Sequence, residues 1–283
     1  MEKAAKTFEL KRENSGLAYL QAPLFLEAGW IDHAFSTRRG GQSTGTFTGL
    51  NTGFHVGDRW ERVLENRRLF FDCFNYDYRD IVSATQVHGV AVRLFDKSNR
   101  GEGAFPNTTR SRCDALVTRE EGLPLAAYSA DCQLIYFACP GEKPVVALAH
   151  AGWKGTLGGI GGRVIRFMED NFFVKPERIM VALGPAVCRR CYLVSRDLAD
   201  RFREAGWDDE NYLEPNEKGD FHLDLNAINT EKLLLAGIRK TNLSLNEWCT
   251  SCNPGLFYSY RRDRGITGRM LGFIAINNSV SRM

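Results

Sequence analysis

Apolar and polar positions along the chain fall into short blocks that predict strands and helices in mixed order. Leu17 to Leu26 and His33 to Thr37 read as two strand-like runs, ending in Arg38-Arg39-Gly40-Gly41. Gly41 to Gly57 is rich in Gly, Thr and Ser and predicts a long loop, of a length that is often functional in compact domains. Asp58 is placed to cap a helix in which Val63, Leu64, Phe70, Phe71 and Phe74 recur at helical spacing. Arg67 and Arg68 lie inside that helix, and spacing alone reads them as solvated surface charge. Ile81-Val82-Ser83 and Val90 to Phe95 predict strands with Gln86-Val87-His88-Gly89 between them, followed by a polar loop over 97–112. Ala115-Leu116-Val117, Leu123 to Tyr128 and Leu134 to Phe137 predict adjacent strands, with Ser129-Ala130-Asp131-Cys132 between the last two.

The centre of the pattern is Ala149-His150-Ala151-Gly152-Trp153-Lys154-Gly155-Thr156. It follows the apolar run Val145 to Leu148, a buried strand, and precedes Leu157, Ile160, Val164, Ile165 and Met168, which mark the inner face of a helix. Such strand-to-helix turns are where rigid scaffolds carry reactive side chains. Arg178 to Leu183 predicts a further strand, 195–205 and 226–238 predict helices, and Gly272 to Ile276 predicts a last strand. Strands and helices mix without strict βαβ alternation, which favours an α+β fold. No repeat or linker divides the chain, so residues 1–283 are expected to form a single domain.

Composition adds bounds. With 283 residues, 43% hydrophobic and 25% charged, the chain is an ordinary globular protein with room for a full core. A net charge of +3 spread over scattered Lys and Arg argues against a nucleic-acid surface. The start, Met1 to Lys6, has no apolar core of a signal peptide, and no apolar run is long enough for a membrane span. A cytoplasmic protein is the expectation, with no nucleic-acid or membrane partner. Eight cysteines then need a reading other than secreted disulfides. Cys73 and Cys139 read as buried small thiols. Cys188/Cys191 and Cys249/Cys252 form two C-x-x-C pairs, but the 57 residues between Cys191 and Cys249 far exceed a compact zinc ribbon. That spacing favours buried or redox-active thiols, and one metal per chain.

His88, Cys132 and His150 each sit beside Gly or Asp in a short turn next to a strand-like run. Two imidazoles and a thiolate make a three-ligand zinc set with the fourth position open. The same residues could instead form a Cys-His nucleophile pair with a spare His, or be three unrelated structural residues. Spacing alone favours the last, because the three stand far apart in the chain.

Eight segments in order carry a resemblance: Phe35-Ser36-Thr37-Arg38-Arg39-Gly40-Gly41, His55-Val56-Gly57-Asp58, Asn66-Arg67, Gln86-Val87-His88-Gly89, Asp114-Ala115-Leu116-Val117-Thr118, Ala130-Asp131-Cys132, His150-Ala151-Gly152-Trp153-Lys154-Gly155 and Tyr258-Ser259-Tyr260-Arg261-Arg262. Each is weak alone. The ordered set, from about residue 30 onward, resembles the laccase-domain family, a group labelled polyphenol oxidase or multicopper oxidase and later recognised as purine nucleoside phosphorylases. The resemblance implies an α+β fold with mixed β-sheets layered between helices, and a zinc site at His88, Cys132 and His150. It implies phosphorolysis of adenosine, inosine, guanosine and methylthioadenosine, and hydrolytic deamination of adenosine. Some bacterial members are described instead as peptidoglycan-editing factors. The chain departs from the family pattern at Leu134, where Pro is usual, at Leu193, where Glu is common, and at Lys154, where many members carry Arg.

The label of a blue-copper laccase fails on ligand count. Four coppers need about ten imidazoles, largely in His-x-His pairs, and this chain has His33, His55, His88, His150 and His222 with no such pair. Copper as an adventitious ion at the open site survives that count. The resulting expectation is a zinc-dependent purine nucleoside phosphorylase, with a purine nucleoside and inorganic phosphate as its small-molecule partners, acting as a monomer or homodimer. Asp131 could orient a ligand or accept a proton, or simply cap its turn. Arg38, Arg67 and Arg261 are candidates to hold phosphate or ribose, since guanidinium forks match phosphate oxygens. Lys154 and the helix start behind it could bind phosphate, or the glycines there could serve close packing. The competing functions are a Cys132/His amidase acting on a serine-containing muropeptide precursor and a non-catalytic metal-binding protein.

Overall fold

The computed structural model describes residues 7–108 and 110–278; the polar start Met1 to Lys6 lies outside them. In chain order the strands are β1 (Glu9–Arg12), β2 (Ala18–Gln21), β3 (Ile31–Ser36), β4 (Val92–Leu94), β5 (Ala115–Thr118), β6 (Leu125–Ser129), β7 (Gln133–Cys139), β8 (Val145–Ala151), β9 (Met180–Leu183), β10 (Leu193–Val194), β11 (Leu213–Pro215), β12 (Phe221–Leu223), β13 (Leu243–Ser244) and β14 (Met270–Ile276). The helices are α1 (Pro23–Ala28), α2 (Trp60–Asp72), α3 (Trp153–Leu157), α4 (Ile160–Phe172), α5 (Arg196–Glu204) and α6 (Leu225–Leu235).

Period-two alternation within the strands decides the layering. On β7, Leu134, Tyr136 and Ala138 face one core while Ile135, Phe137 and Cys139 face another. On β14, Ile274 and Ile276 share the first of those cores, whereas Leu271, Phe273 and Ala275 face a third. A five-stranded antiparallel sheet, β1-β2-β3-β14-β6, therefore packs face to face on a six-stranded mixed sheet, β13-β9-β7-β8-β5-β4. α2 covers the outside of the first sheet, setting Phe70 and Phe71 against Phe273 with ring centroids 5.9 and 5.2 Å apart. α4 covers the outside of the second with Ile160, Val164, Ile165 and Met168, as their spacing predicts. A small sheet, β10-β12-β11, packs with α5 and α6 as a satellite core. Strands buried on both faces read as unbroken apolar runs, which is why β5 to β8 stand out so clearly in the sequence. The fold is α+β, with mixed strands layered between helices.

Four sequence expectations change. The run Leu17 to Leu26 is not one strand: Pro23 opens α1 after β2, because its fixed φ suits a first helical turn. Asp58 does not cap α2. Its carboxylate accepts from Ser43 Oγ, Asn51 Nδ2 and its neighbour Arg59 N, tying the long loop down instead. Arg67 is not solvated but fully buried, and donates to the carbonyls of Thr52, Gly103 and Ala104. Ile81 to Ser83 forms only an isolated bridge, Val82 with Leu125, rather than a strand. Among the described residues no helix is long and apolar enough to cross a membrane.

Candidate metal centre

Strand register builds the centre. β7 and β8 pair so that Leu134 faces His150 and Gln133 faces Ala151, which sets Cys132, one residue before β7, opposite Gly152. β5 pairs with β8 through Ala115 and Ala149, so Asp114 lies beside His150, whose N–H donates to the Asp114 carbonyl at 2.7 Å. His88 arrives from the turn before β4, which is anchored to β5. The ligand atoms of His88, Cys132 and His150 all lie within 4.8 Å of one another. The His88 and His150 rings meet edge to face at 4.9 Å.

Asp114 organises this group from behind. Its carboxylate accepts from the amides of Val87, His88 and Gly89 at 3.2, 2.9 and 2.7 Å and contacts His150 Nδ1 at 3.0 Å. With Nδ1 committed to Asp114, Nε2 is the His150 nitrogen left to ligate, the arrangement common behind metal-bound imidazoles. Burial pushes the Asp114 carboxyl up, but His150 and the Gly89 and Val87 amides outweigh it and hold the carboxyl below its usual range. His88 sits at φ +57° and Asp131 at φ +96°, conformations that non-glycine residues rarely adopt. Such outliers concentrate at functional sites.

Gly152 explains one glycine of the central motif. A Cβ there would meet Cys132 Sγ at 2.9 Å and His88 Cδ2 at 3.4 Å. Only glycine lets the backbone pass so close to the ligands. Burial raises the Cys132 thiol, but His150 and His88 bring it down to about 6. Burial likewise lowers His150, yet Cys132 and Asp114 raise it to about 9.

The three residues line a cleft of about 890 Å³ together with Trp153, Val187, Tyr192, Leu225 and Tyr260, and with Arg110, Arg261, Arg264 and Arg269. His55 is also part of the wall. Desolvation in the wall, then Arg269 and Arg110, pull its pKa down to about 4, although the residue as a whole is exposed.

The other predicted site residues divide. Arg261 lines the cleft, with its guanidinium 5.0 Å from the Tyr192 ring centre. Asp131 lines it too, but its carboxylate is taken: Oδ1 accepts from Thr250 Oγ1 and Oδ2 from the Arg261 amide, both at 2.6 Å, while its carbonyl accepts from Val187 N. It orients the turn that presents Cys132. Arg38 lies outside the lining, stacked over Tyr258 at 4.5 Å and donating to Thr48 and Pro254 carbonyls. Arg67 lies outside it as well, clamped between Phe54 and Tyr128. Lys154 is exposed outside the cleft, with Nζ 5.4 Å from the Trp153 ring centre. Lys154 does not precede the helix as expected but is the second residue of α3, which has only five residues and gives way at Gly159, φ +72°, to α4.

Sequence reasoning passed over Arg110, Arg264 and Arg269 because their loops carry no periodic signal. It also passed over Gln133, which donates to Asn226 and accepts from Asn229, linking the Cys132 strand to α6.

The family model described as multi-copper polyphenol oxidoreductase laccase matches residues 32–277, a span that takes in the whole centre and its cleft. The chain belongs to that family. Among its laccase-domain relatives, the purine nucleoside phosphorylase YlmD of Geobacillus stearothermophilus is 41% identical over 84% of this chain and 88% of its own length. A purine nucleoside phosphorylase of Deinococcus radiodurans is 40% identical over 92% of this chain and 94% of its own. The adenosine deaminase RL5, from an unknown prokaryotic organism, is 32% identical over 81% and 88%. The crystal structure of the Geobacillus YlmD aligns with a TM-score of 0.88 at 38% identity, covering 95% of this chain and 99% of that one.

Proposed function

We propose that the chain is a zinc-dependent purine nucleoside phosphorylase that accepts adenosine, inosine, guanosine and methylthioadenosine, and that deaminates adenosine with water at the same centre. The observation that carries this reading is the His88–Cys132–His150 cluster in a cleft whose walls combine apolar rings with four guanidinium groups. The names of the Geobacillus and Deinococcus relatives support phosphorolysis, and that of RL5 supports deamination.

A nitrogen-sulfur-nitrogen donor set within 4.8 Å suits zinc, with one position left open. When bound there, zinc supplies Lewis acidity in the cleft. The chain's own residues do the rest. Asp114 fixes the His150 ring. Tyr192, Trp153 and Leu225 offer the apolar surface on which a purine can rest. Arg261, with Arg110, Arg264 and Arg269, neutralises the phosphate dianion. In the reaction a phosphate oxygen bonds to ribose C1′ as the C1′–N9 bond breaks. The bonding pair stays with the purine, which takes up a proton.

The test is inosine cleavage by zinc-loaded protein. Hypoxanthine and ribose 1-phosphate in equal amounts, only with phosphate present, are expected. Cleavage that ignores phosphate, or none, overturns the reading. Arg264→Ala should raise the phosphate KM about tenfold, the equivalent of ~1.4 kcal/mol. An unchanged phosphate KM would remove Arg264 from the phosphate site.

One observation favours a second reading. Cys132 near His150, with Asp114 3.0 Å from His150 Nδ1, is also the arrangement of a nucleophilic cysteine with an oriented base. An amidase would release an amino acid from a muropeptide precursor without zinc, and alkylation of Cys132 would stop it.

A further inference from the structure

Cys188, Cys191, Cys249 and Cys252 are brought together by the fold despite their distance in the chain. Their four sulfurs all lie within 4.8 Å of one another, with Cys191 Sγ 3.3 Å and Cys188 Sγ 4.0 Å from Cys252 Sγ. Tetrahedral zinc with bonds of about 2.3 Å sets its sulfurs about 3.8 Å apart. A disulfide needs about 2.05 Å. The two separations fall on either side of the zinc value and well above the disulfide length.

The backbone is arranged to receive an ion. Ala186 and Cys249 form a parallel bridge, with Thr250 N donating to the Ala186 carbonyl at 3.1 Å and Ala186 N to the Trp248 carbonyl at 3.3 Å. That bridge aligns the two C-x-x-C turns. The amides of Cys188 and Cys252 both point at Cys249 Sγ, at 3.3 and 3.4 Å. Two donors on one sulfur favour a thiolate, the form that binds metal. We propose that these four cysteines hold a second zinc ion, closed to substrate and structural in role.

Its position gives that role content. One turn is followed by Tyr192 and preceded by Val187, and both line the cleft. The other contains Thr250 and is followed by Asn253 to Arg262. Asp131 fastens both to the Cys132 turn, accepting from Val187, Thr250 and Arg261. The four-cysteine centre thus staples the two segments that form one wall of the cleft. This reverses the count expected from spacing, one metal per chain, because a strand bridge, not sequence proximity, pairs the turns.

Elemental analysis of reduced, purified protein tests the proposal without reference to activity. Two zinc ions per chain are expected in the native protein and one in Cys132→Ala. Cys252→Ala, at the exposed corner, should lose one zinc, and Cys252→His should retain it because imidazole can replace thiolate in a structural site. Cobalt loaded into Cys132→Ala should show the strong absorption of a tetrathiolate complex. One zinc in the native protein and none in Cys132→Ala would overturn the proposal. So would a Cys191–Cys252 disulfide in protein purified in air without reductant, with the zinc count at one. If Cys252→Ala fails to fold, the cobalt spectrum of Cys132→Ala still decides.

Discussion

Cys132 meets two imidazoles at the end of the six-stranded sheet, whereas Cys188, Cys191, Cys249 and Cys252 meet in loops with sulfur alone. The first cluster inherits its geometry from strand register: Cys132, Gly152, His150 and Asp114 are neighbours because β7, β8 and β5 are paired. It offers three ligands beside a cleft. The second has one strand bridge between its turns and hydrogen bonds to Asp131 beside them, and offers four ligands with no lining residue of the cleft among them. In one the fold shapes the site. In the other an ion would shape the fold. A difference of this kind predicts opposite responses to ligand loss.

The largest effect belongs to Cys132→Ala. Loss of the proposed Lewis acid would remove several kcal/mol of transition-state stabilisation, so phosphorolysis should fall at least about a thousandfold. The melting temperature should stay nearly unchanged, because the surrounding strands are paired on both sides. Activity within tenfold of the native enzyme would dissolve the distinction between the clusters. Gly152→Ala comes next. Its Cβ would press on Cys132 Sγ at 2.9 Å, so bound metal and turnover should drop together while melting moves little. Full metal content in that variant would show that the loop yields.

Asp114→Asn should weaken metal binding about 10–100-fold, the usual range for a residue that orients a ligand. Equilibrium dialysis would measure it, and an unchanged affinity would reduce Asp114 to a turn cap. The smallest effect on chemistry belongs to Cys252→Ala, expected to change kcat less than about threefold while lowering the melting temperature by several degrees, as ~1 kcal/mol does in a domain this large. A variant that melts normally but loses kcat would invert the comparison.

How much of this was legible in the sequence follows from which forces leave a local trace. Strands β5 to β8 and the inner face of α4 were visible because burial on both faces, or on one stripe, writes a periodicity. The His88, Cys132 and His150 set was visible through its ordered motifs, not its spacing. Arg67 was misread as surface because helical spacing records which face a residue occupies, not whether loop carbonyls wait there to receive a guanidinium. The four-cysteine cluster was discounted for a similar reason: the bridge between Ala186 and Cys249 is a tertiary fact. Arg110, Arg264 and Arg269 sit in irregular segments, where neither periodicity nor capping chemistry marks one arginine from another.

β14 has a consequence in time as well as in space. It lies inside the five-stranded sheet, hydrogen-bonded on one side to β3 and on the other to β6. Ser36, where β3 ends, is made 240 residues before Ile276, since 276 − 36 = 240. At ~5–20 residues per second of synthesis, the exposed edge of β3 waits roughly 10–50 s for its neighbour. During that interval β3 carries an apolar face and a row of unpaired amides with nothing to close them, the condition under which strands find wrong partners. The nascent chain is therefore most vulnerable to aggregation before it has any enzyme to offer, and a chaperone that shields β3 during translation would protect it more than one that acts on the finished protein.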